Sequence, residues 1–246
     1  MVSQEHFENE VNLVMRLEHP NIVRLVGYCY EIEHVRVPHE RKFVFDRKTE
    51  RLLCMEFLPN GSLDKYISEA SYGLRWHTRY KIIEGISYGL QYLHEQLEGP
   101  VIHLDLKPAN VLLDKNMLPK ITDFSLSSLL ERSQTIHTAT ITRTLGYMAP
   151  EYLHQGIITP VSDIFSLGVI IMEELQKWRN MLQKVPGYTS LEADCQHIKR
   201  CIQIGLMCVN PEWTKRPTMK KVIDMLEGLE SMDWYISNEV TPVARV

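Results

Sequence analysis

Apolar residues Phe7, Val11, Val14 and Met15 recur at helical spacing across residues 3–18, and the His19-Pro20 pair ends that helix because proline cannot continue it. Residues 22–30 and 52–58 are runs rich in β-branched and aromatic side chains. They predict a hairpin whose connection, residues 31–51, is charged and irregular. Leu58-Pro59-Asn60-Gly61 is a turn signal, after which Ser62 can cap a short helix reaching Ile67. From residue 75 to residue 95, Trp76, Tyr80, Ile83, Ile86, Leu90 and Leu93 return every three or four positions, the mark of a long buried helix. Further helices are expected over residues 162–175, 193–208 and 218–229. No repeat or low-complexity tract interrupts the pattern, and the residues after Met232 read as a frayed tail.

Two strands against many helices make this an α+β chain. Three units are expected: residues 1–58 with one helix and the hairpin, a helical body over residues 59–230, and a tail over 231–246. A hairpin standing alone is marginal in water and leaves backbone donors and acceptors unpaired along its edges. That small unit is therefore expected to be loose, covered or prone to association.

At 246 residues the chain can bury roughly 70–75% of its unfolded surface. Its 27 basic against 31 acidic residues give a net charge of −4, which speaks against nucleic acid or an anionic membrane and for a protein partner. Cys29, Cys54, Cys195, Cys201 and Cys208 form no C-x-x-C and suit buried thiols in a reducing compartment. The longest apolar stretch, near residues 167–172, is far short of the ~20 residues of a spanning helix. A soluble, cytoplasmic chain without a membrane segment is expected.

Chemistry concentrates in residues 103–114, His-Leu-Asp-Leu-Lys-Pro-Ala-Asn-Val-Leu-Leu-Asp, followed by Ile-Thr-Asp-Phe at 121–124 and Ala-Pro-Glu at 149–151. Singly, such Asp, Lys and Asn residues mostly cap turns. A metal nuclease could also use Asp105, Lys107 and Asp123 around Mg²⁺, but it usually places the isolated acid before the acid-x-Lys element, and here it follows. Type, order and spacing together match the active site of protein kinases. The chain resembles that family from about residue 3 to residue 228, and most of all the receptor-like Ser/Thr kinases of plants.

The resemblance implies a protein-kinase-like fold with a mostly helical large lobe and an incomplete small lobe, binding ATP and Mg²⁺ and acting on a protein substrate or a partner kinase. It implies Asp105 beside the attacking hydroxyl, Lys107 near the γ-phosphate, Thr144 bracing Asp105, and Asn110 and Asp123 as oxygen ligands of the metal ions. Met55 would be the gatekeeper. The main chain of Glu56 and Leu58 would face adenine over a floor formed by Leu112. His103 is expected as packing, in an apolar column with Phe124, Val14 and Leu25, with Asp163 anchoring the loop. Glu151 and Arg216 would form a buried structural ion pair.

Several family features are not found in this sequence. No G-x-G-x-x-G stands before the first helix, and Glu10, which matches the family's helix glutamate, has no matching lysine. Lys42 and Lys48 lie after that helix. Leu104 replaces the Arg that receives an activation-loop phosphate, as in "non-RD" kinases; Ser125 replaces a Gly, and Arg143 precedes Thr144 where a Gly is usual. Ser133, Thr135, Thr138, Thr140 and Thr142 offer hydroxyls for phosphorylation, or simply line a loop. Three readings follow: a Ser/Thr kinase of weak or no activity in this chain, a non-catalytic docking module, or a fragment of a membrane receptor-like kinase.

Overall fold

The computed structural model describes residues 4–39, 42–68, 74–129, 136–137, 146–182 and 191–230. Helix α1 (Gln4–Val14) leads into the antiparallel strands β1 (Leu25–His39) and β2 (Lys42–Met55). Helices α2 (Leu63–Ser68) and α3 (Trp76–Gln91) follow, the latter running on through a π-helical turn, Tyr92–Gln96. Short strands β3 (Val101–Ile102), β4 (Val111–Leu113), β5 (Pro119–Ile121), β6 (Ser128–Leu129) and β7 (Ile136–His137) come next. The body closes with α4 (Pro150–Gln155), β8 (Ile157–Ile158), α5 (Pro160–Leu182), α6 (Leu191–Cys208) and α7 (Met219–Glu227). The helical periods of the sequence are thus realised, and the class is α+β.

The hairpin departs from expectation. Residues 31–39 and 42–51 are not an irregular connection: β1 and β2 pair in unbroken register from Gly27↔Cys54 to His39↔Lys42. Charge obscured the pattern in the sequence, but Val35, Val37, Phe43, Val44 and Phe45 carry the β-branched and aromatic bulk that a pleated ribbon favours. The first strand also starts later than expected, at Leu25, and its register shifts between Leu25 and Gly27. Residues 56–58 lie beyond the ladder. Gly61, at φ +67°, donates to Leu58 O at 3.2 Å and closes the turn the sequence signalled.

One continuous core joins the ends of this arrangement. Val14, Leu17 and Ile22 from the N-terminal part pack with Leu93, Val111, Ile121 and Phe124, and onward with Trp76, Ile86, Leu167 and Ile204 of the helical body. The segment after α1 is fixed by main-chain bonds: Val23 N donates to Ile121 O at 2.9 Å, and Ile121 N to Asn21 O at 2.8 Å. The buried Asn21 side chain donates to Pro119 O at 2.9 Å. Helix α3 lies so close to this junction that a methyl group on Gly85 would sit 2.5 Å from Pro119 Cγ and 2.7 Å from Asn21 Nδ2.

Two buried ion pairs brace the helical body. Arg216 meets Glu151 through both guanidinium nitrogens at 2.8 and 2.7 Å, donates to Val161 O and Asn210 O, and lies over the Phe165 ring. This is the pair expected from sequence. Arg79 on α3 bonds Glu174 on α5 with both side chains buried. Burial pushes the Glu174 carboxyl up, against the pull of the guanidinium. Nothing in the sequence singled this pair out.

Arg216→Ala strands Glu151 without its cation and is expected to cost about 3–5 kcal/mol of unfolding free energy by urea titration. Gly85→Ala overpacks the α3 junction and is expected to cost about 1–3 kcal/mol in the same measurement.

Candidate active site

The loop between β3 and β4 is built around one carboxylate. Asp163, fully buried near the start of α5, accepts from His103 N at 2.8 Å and from Leu104 N at 2.9 Å, and contacts His94 Nε2 at 2.9 Å. Leu104 adopts φ +67°, a conformation that costs an L-residue roughly 1–2 kcal/mol. The bond to Asp163 offsets that cost. The Leu104 side chain packs on the second apolar cluster, Ile102, Met148, Ala149, Tyr152 and Ile158. Apolar contact thus adds to the Asp163 bonds in holding the loop.

This anchoring presents Asp105, Lys107 and Asn110 to one another. Lys107 Nζ lies 2.7 Å from Asp105 Oδ2, and Asn110 Nδ2 donates to Asp105 O at 2.9 Å and to Oδ2 at 3.0 Å. The Asp105 main chain is further tied by donation from its N–H to His103 Nδ1 at 3.2 Å. Asn110 O in turn accepts from Thr122 N at 3.0 Å, next to Asp123. The β4–β5 pairing, Val111↔Ile121, extends the same link. The loop carrying Asp105 and the Asp-Phe segment are therefore linked through main-chain bonds.

Asp123 sits at φ +67°, which an aspartate tolerates better than most residues, and its Oδ1 accepts from Ser125 Oγ at 2.6 Å. The serine that stands in place of glycine thus orients the metal-binding candidate, a contact the sequence did not suggest. Phe124 is buried and packs edge-on to His103 with ring centroids 5.1 Å apart. His103 Nε2 lies 2.9 Å from Thr122 O. Val14 and Phe124 share the core, with Leu25 packed against it, as the apolar column requires.

The proposed adenine edge is more constrained than the sequence implied. Glu56 N donates to Arg24 O at 3.0 Å, so of its two main-chain groups the carbonyl is the one a base could use. The Glu56 carboxylate accepts from Arg24 N and pairs with Lys120 at 2.7 Å. Those contacts hold it below the usual carboxylate range despite the opposing effect of burial. Leu58 O is taken by the turn, which leaves the Leu58 N–H for a ligand. Leu112 is half-buried and pairs with Lys120 in the β4–β5 ladder. Thr144 and Arg143 lie outside the described residues, as do the five candidate hydroxyls at 133, 135, 138, 140 and 142.

Glu10 has an unusual neighbour. Its carboxyl is half-buried and pushed up, first by loss of water and then by the negative charge of Asp123. Lys42 and Lys48 are on the exposed arm, where Lys48 pairs with Glu50 at 2.6 Å. Neither bridges the two acids.

Comparison with known proteins decides the family. The protein kinase domain model matches residues 1–235. This chain belongs to the protein kinase family. It is 38% identical, over 89% of its length, to the G-type lectin S-receptor-like serine/threonine-protein kinase SRK of Arabidopsis thaliana. It is 37% identical over 92% and 90% of its length to the cysteine-rich receptor-like protein kinases 26 and 44 of the same plant. The chain spans 28%, 36% and 62% of those three relatives. The kinase-like fold and the likeness to plant receptor-like Ser/Thr kinases are thereby established. Among the described residues of this kinase-family chain no helix is long and apolar enough to cross a membrane.

A group whose folded pKa is raised contributes most to stability when protonated, and that contribution is lost as pH rises through the raised value. Glu10→Gln is therefore expected to raise the thermal midpoint at pH 7 and to leave it unchanged near pH 3, where Glu10 is already neutral. Melting curves across that range check the sign.

Proposed function

We propose that this chain is a Ser/Thr protein kinase domain that transfers a phosphoryl group from ATP to protein hydroxyls, and that it turns over slowly. The observation that carries the reading is the Asp105–Lys107–Asn110 network. Phosphoryl transfer demands positioning and charge rather than covalent work by the protein, and this network supplies both. Asp105 accepts the proton of the attacking hydroxyl, while Lys107, at Asp105's shoulder, places its charge toward the transferred group. The proton moves to a carboxylate whose second hydrogen-bond partner, Asn110, fixes its direction.

The residues fit a magnesium-bound nucleotide. Asn110 spends its amide nitrogen on Asp105, which turns its amide oxygen to a cation, and Asp123 has one oxygen engaged by Ser125 and one to offer. Two oxygen donors suit an ion that takes its remaining ligands from phosphate and water. Magnesium, once held there, would neutralise charge on the phosphates. Glu56 O and Leu58 N–H, with Leu112 beneath, form the complementary edge for adenine.

Slow turnover follows from Glu10. Burial and then the negative charge of Asp123 push its carboxyl up, so negative charge gathers where further negative charge must bind. Loss of one placed electrostatic donor typically costs 10²–10³ in rate, against ~1–100 s⁻¹ for kinases in general. The same crowding favours a second reading, a docking module that engages a protein substrate or partner kinase without transfer. Both readings place the chain in the cytoplasm.

Thermal shift with 5 mM Mg-ATP, on the order of cellular nucleotide, is expected to raise the midpoint of the wild-type chain and not of Asp123→Ala. Radiolabel transfer to a mixed Ser/Thr protein substrate is expected at least about 10²-fold below an ordinary kinase. An unmoved midpoint would assign the chain to docking. Ordinary rates abolished in Asp105→Asn would refute slow turnover.

A further inference from the structure

A histidine closes the turn that leads out of α1. His19 O accepts from Ile22 N at 3.1 Å, and the ring Nδ1 of the same residue accepts from Asn21 N at 3.1 Å. A main-chain N–H can only donate, whereas an imidazolium carries a proton on each nitrogen and accepts nothing. The ring is therefore neutral in this fold, with its proton on Nε2. Tyr92, in the π-helical turn after α3, stacks on it with centroids 4.9 Å apart and 19° between the planes. The Tyr92 hydroxyl also accepts from Glu18 N at 3.0 Å.

The turn sets up the joint between the N-terminal unit and the helical body. Asn21 O accepts from Ile121 N at 2.8 Å, Asn21 Nδ2 donates to Pro119 O at 2.9 Å, and Val23 N donates to Ile121 O at 2.9 Å. These bonds fasten the segment after α1 to β5, where Ile22 bridges Ile121 in parallel sense. Their alignment depends on where the His19 turn aims residue 21.

The surroundings disfavour a charge on this ring. Half-buried His19 lines a cavity of about 300 Å³ with Glu18, Arg24, Glu56 and Lys120. The two cations oppose an imidazolium. Of the two carboxylates, Glu56 is engaged by Lys120 Nζ at 2.7 Å and by Arg24 N at 2.9 Å, and Glu18 is exposed to water, which weakens any pairing. Burial, and then Lys120, hold the imidazole below its usual range.

We propose that His19 is a proton switch on this joint. Neutral, it holds the turn that aims Asn21 at β5. Protonated on Nδ1 by a proton from solvent, it sets one N–H against another, loses the Asn21 bond and brings a second positive charge to Lys120. The turn opens, Asn21 and Val23 come off β5, and α1 and the β1–β2 arm loosen from the body. Because the fold selects the neutral ring, its contribution is complete above the ordinary imidazole value of about 6.5 and is lost as pH falls from there toward the lower folded value. Neither nucleotide nor catalysis enters this device.

The test compares wild type with His19→Asn, whose side-chain oxygen can accept from Asn21 N–H without titrating. Hydrogen exchange is read by NMR at about pH 7.5 and about pH 5.5, on either side of the ordinary imidazole value. In wild type, acid is expected to lower the protection factors of the Val23 and Ile121 amides at least about tenfold more than that of buried Ile86 in α3. In His19→Asn the three should change alike. Burial and Arg200 also hold His197 down, so the difference between the two chains is what reports His19. Long-range ¹H–¹⁵N spectra of the wild-type ring should show the Nε2–H tautomer and a midpoint below that of the urea-unfolded chain, and Lys120→Gln should raise that midpoint. Those spectra decide the matter even where His19→Asn does not fold. A midpoint at or above the unfolded value, an Nδ1–H tautomer, or equal loss of Val23 and Ile121 protection in both chains would overturn the proposal.

Discussion

The loop that carries Asp105 in this kinase-family chain hangs on the buried carboxylate of Asp163. Two main-chain donors, from His103 and Leu104, and the ring of His94 converge on its two oxygens. A buried acid without such partners would be strongly destabilising; with them it becomes a fixed point in a low-dielectric interior, where hydrogen bonds to a charge are strong. That fixed point sustains the left-handed backbone at Leu104. The same turn aims Asp105 toward Lys107 and Asn110. The π-helical turn after α3 belongs to the same construction, since it holds both Leu93 and His94 in the interior.

From that anchor, order spreads through main-chain bonds rather than through long side chains. Asn110 O ties the loop to Thr122, the β4–β5 ladder ties Val111 to Ile121, and Ile121 is bonded on both sides to the segment that follows α1. α1 and the arm are therefore fastened to the helical body beside the candidate metal ligands. Glu10 and Asp123 come into mutual influence for this reason. The electrostatics around Asp123 are thus set by how two distant parts of the sequence are clamped together.

The arm obeys a different constraint. Its base is packed, through Phe7 against Tyr28 and Tyr30, while its outer part is held by cross-strand pairing and exposes aromatic rings on one face. A two-stranded ribbon gains little stability by itself.

The spacing of Asp105, Lys107, Asn110 and Asp123 by itself pointed to the protein kinase family, which the match over residues 1–235 bears out. The helical periods determined α3, α5, α6 and α7, and the Glu151–Arg216 pair was legible from its motif context. Only tertiary structure decided the rest. Residues 31–39 and 42–51 were hidden as strand because dense charge, with Asp46, Arg47 and Lys48 in a row, looks like a loop until a partner register pairs them. The Arg79–Glu174 pair, the Ser125 contact on Asp123 and the engagement of the Glu56 amide join residues whose local patterns are silent about one another. The raised Glu10 carboxyl belongs with these, since desolvation and charge proximity exist only once the chain has folded.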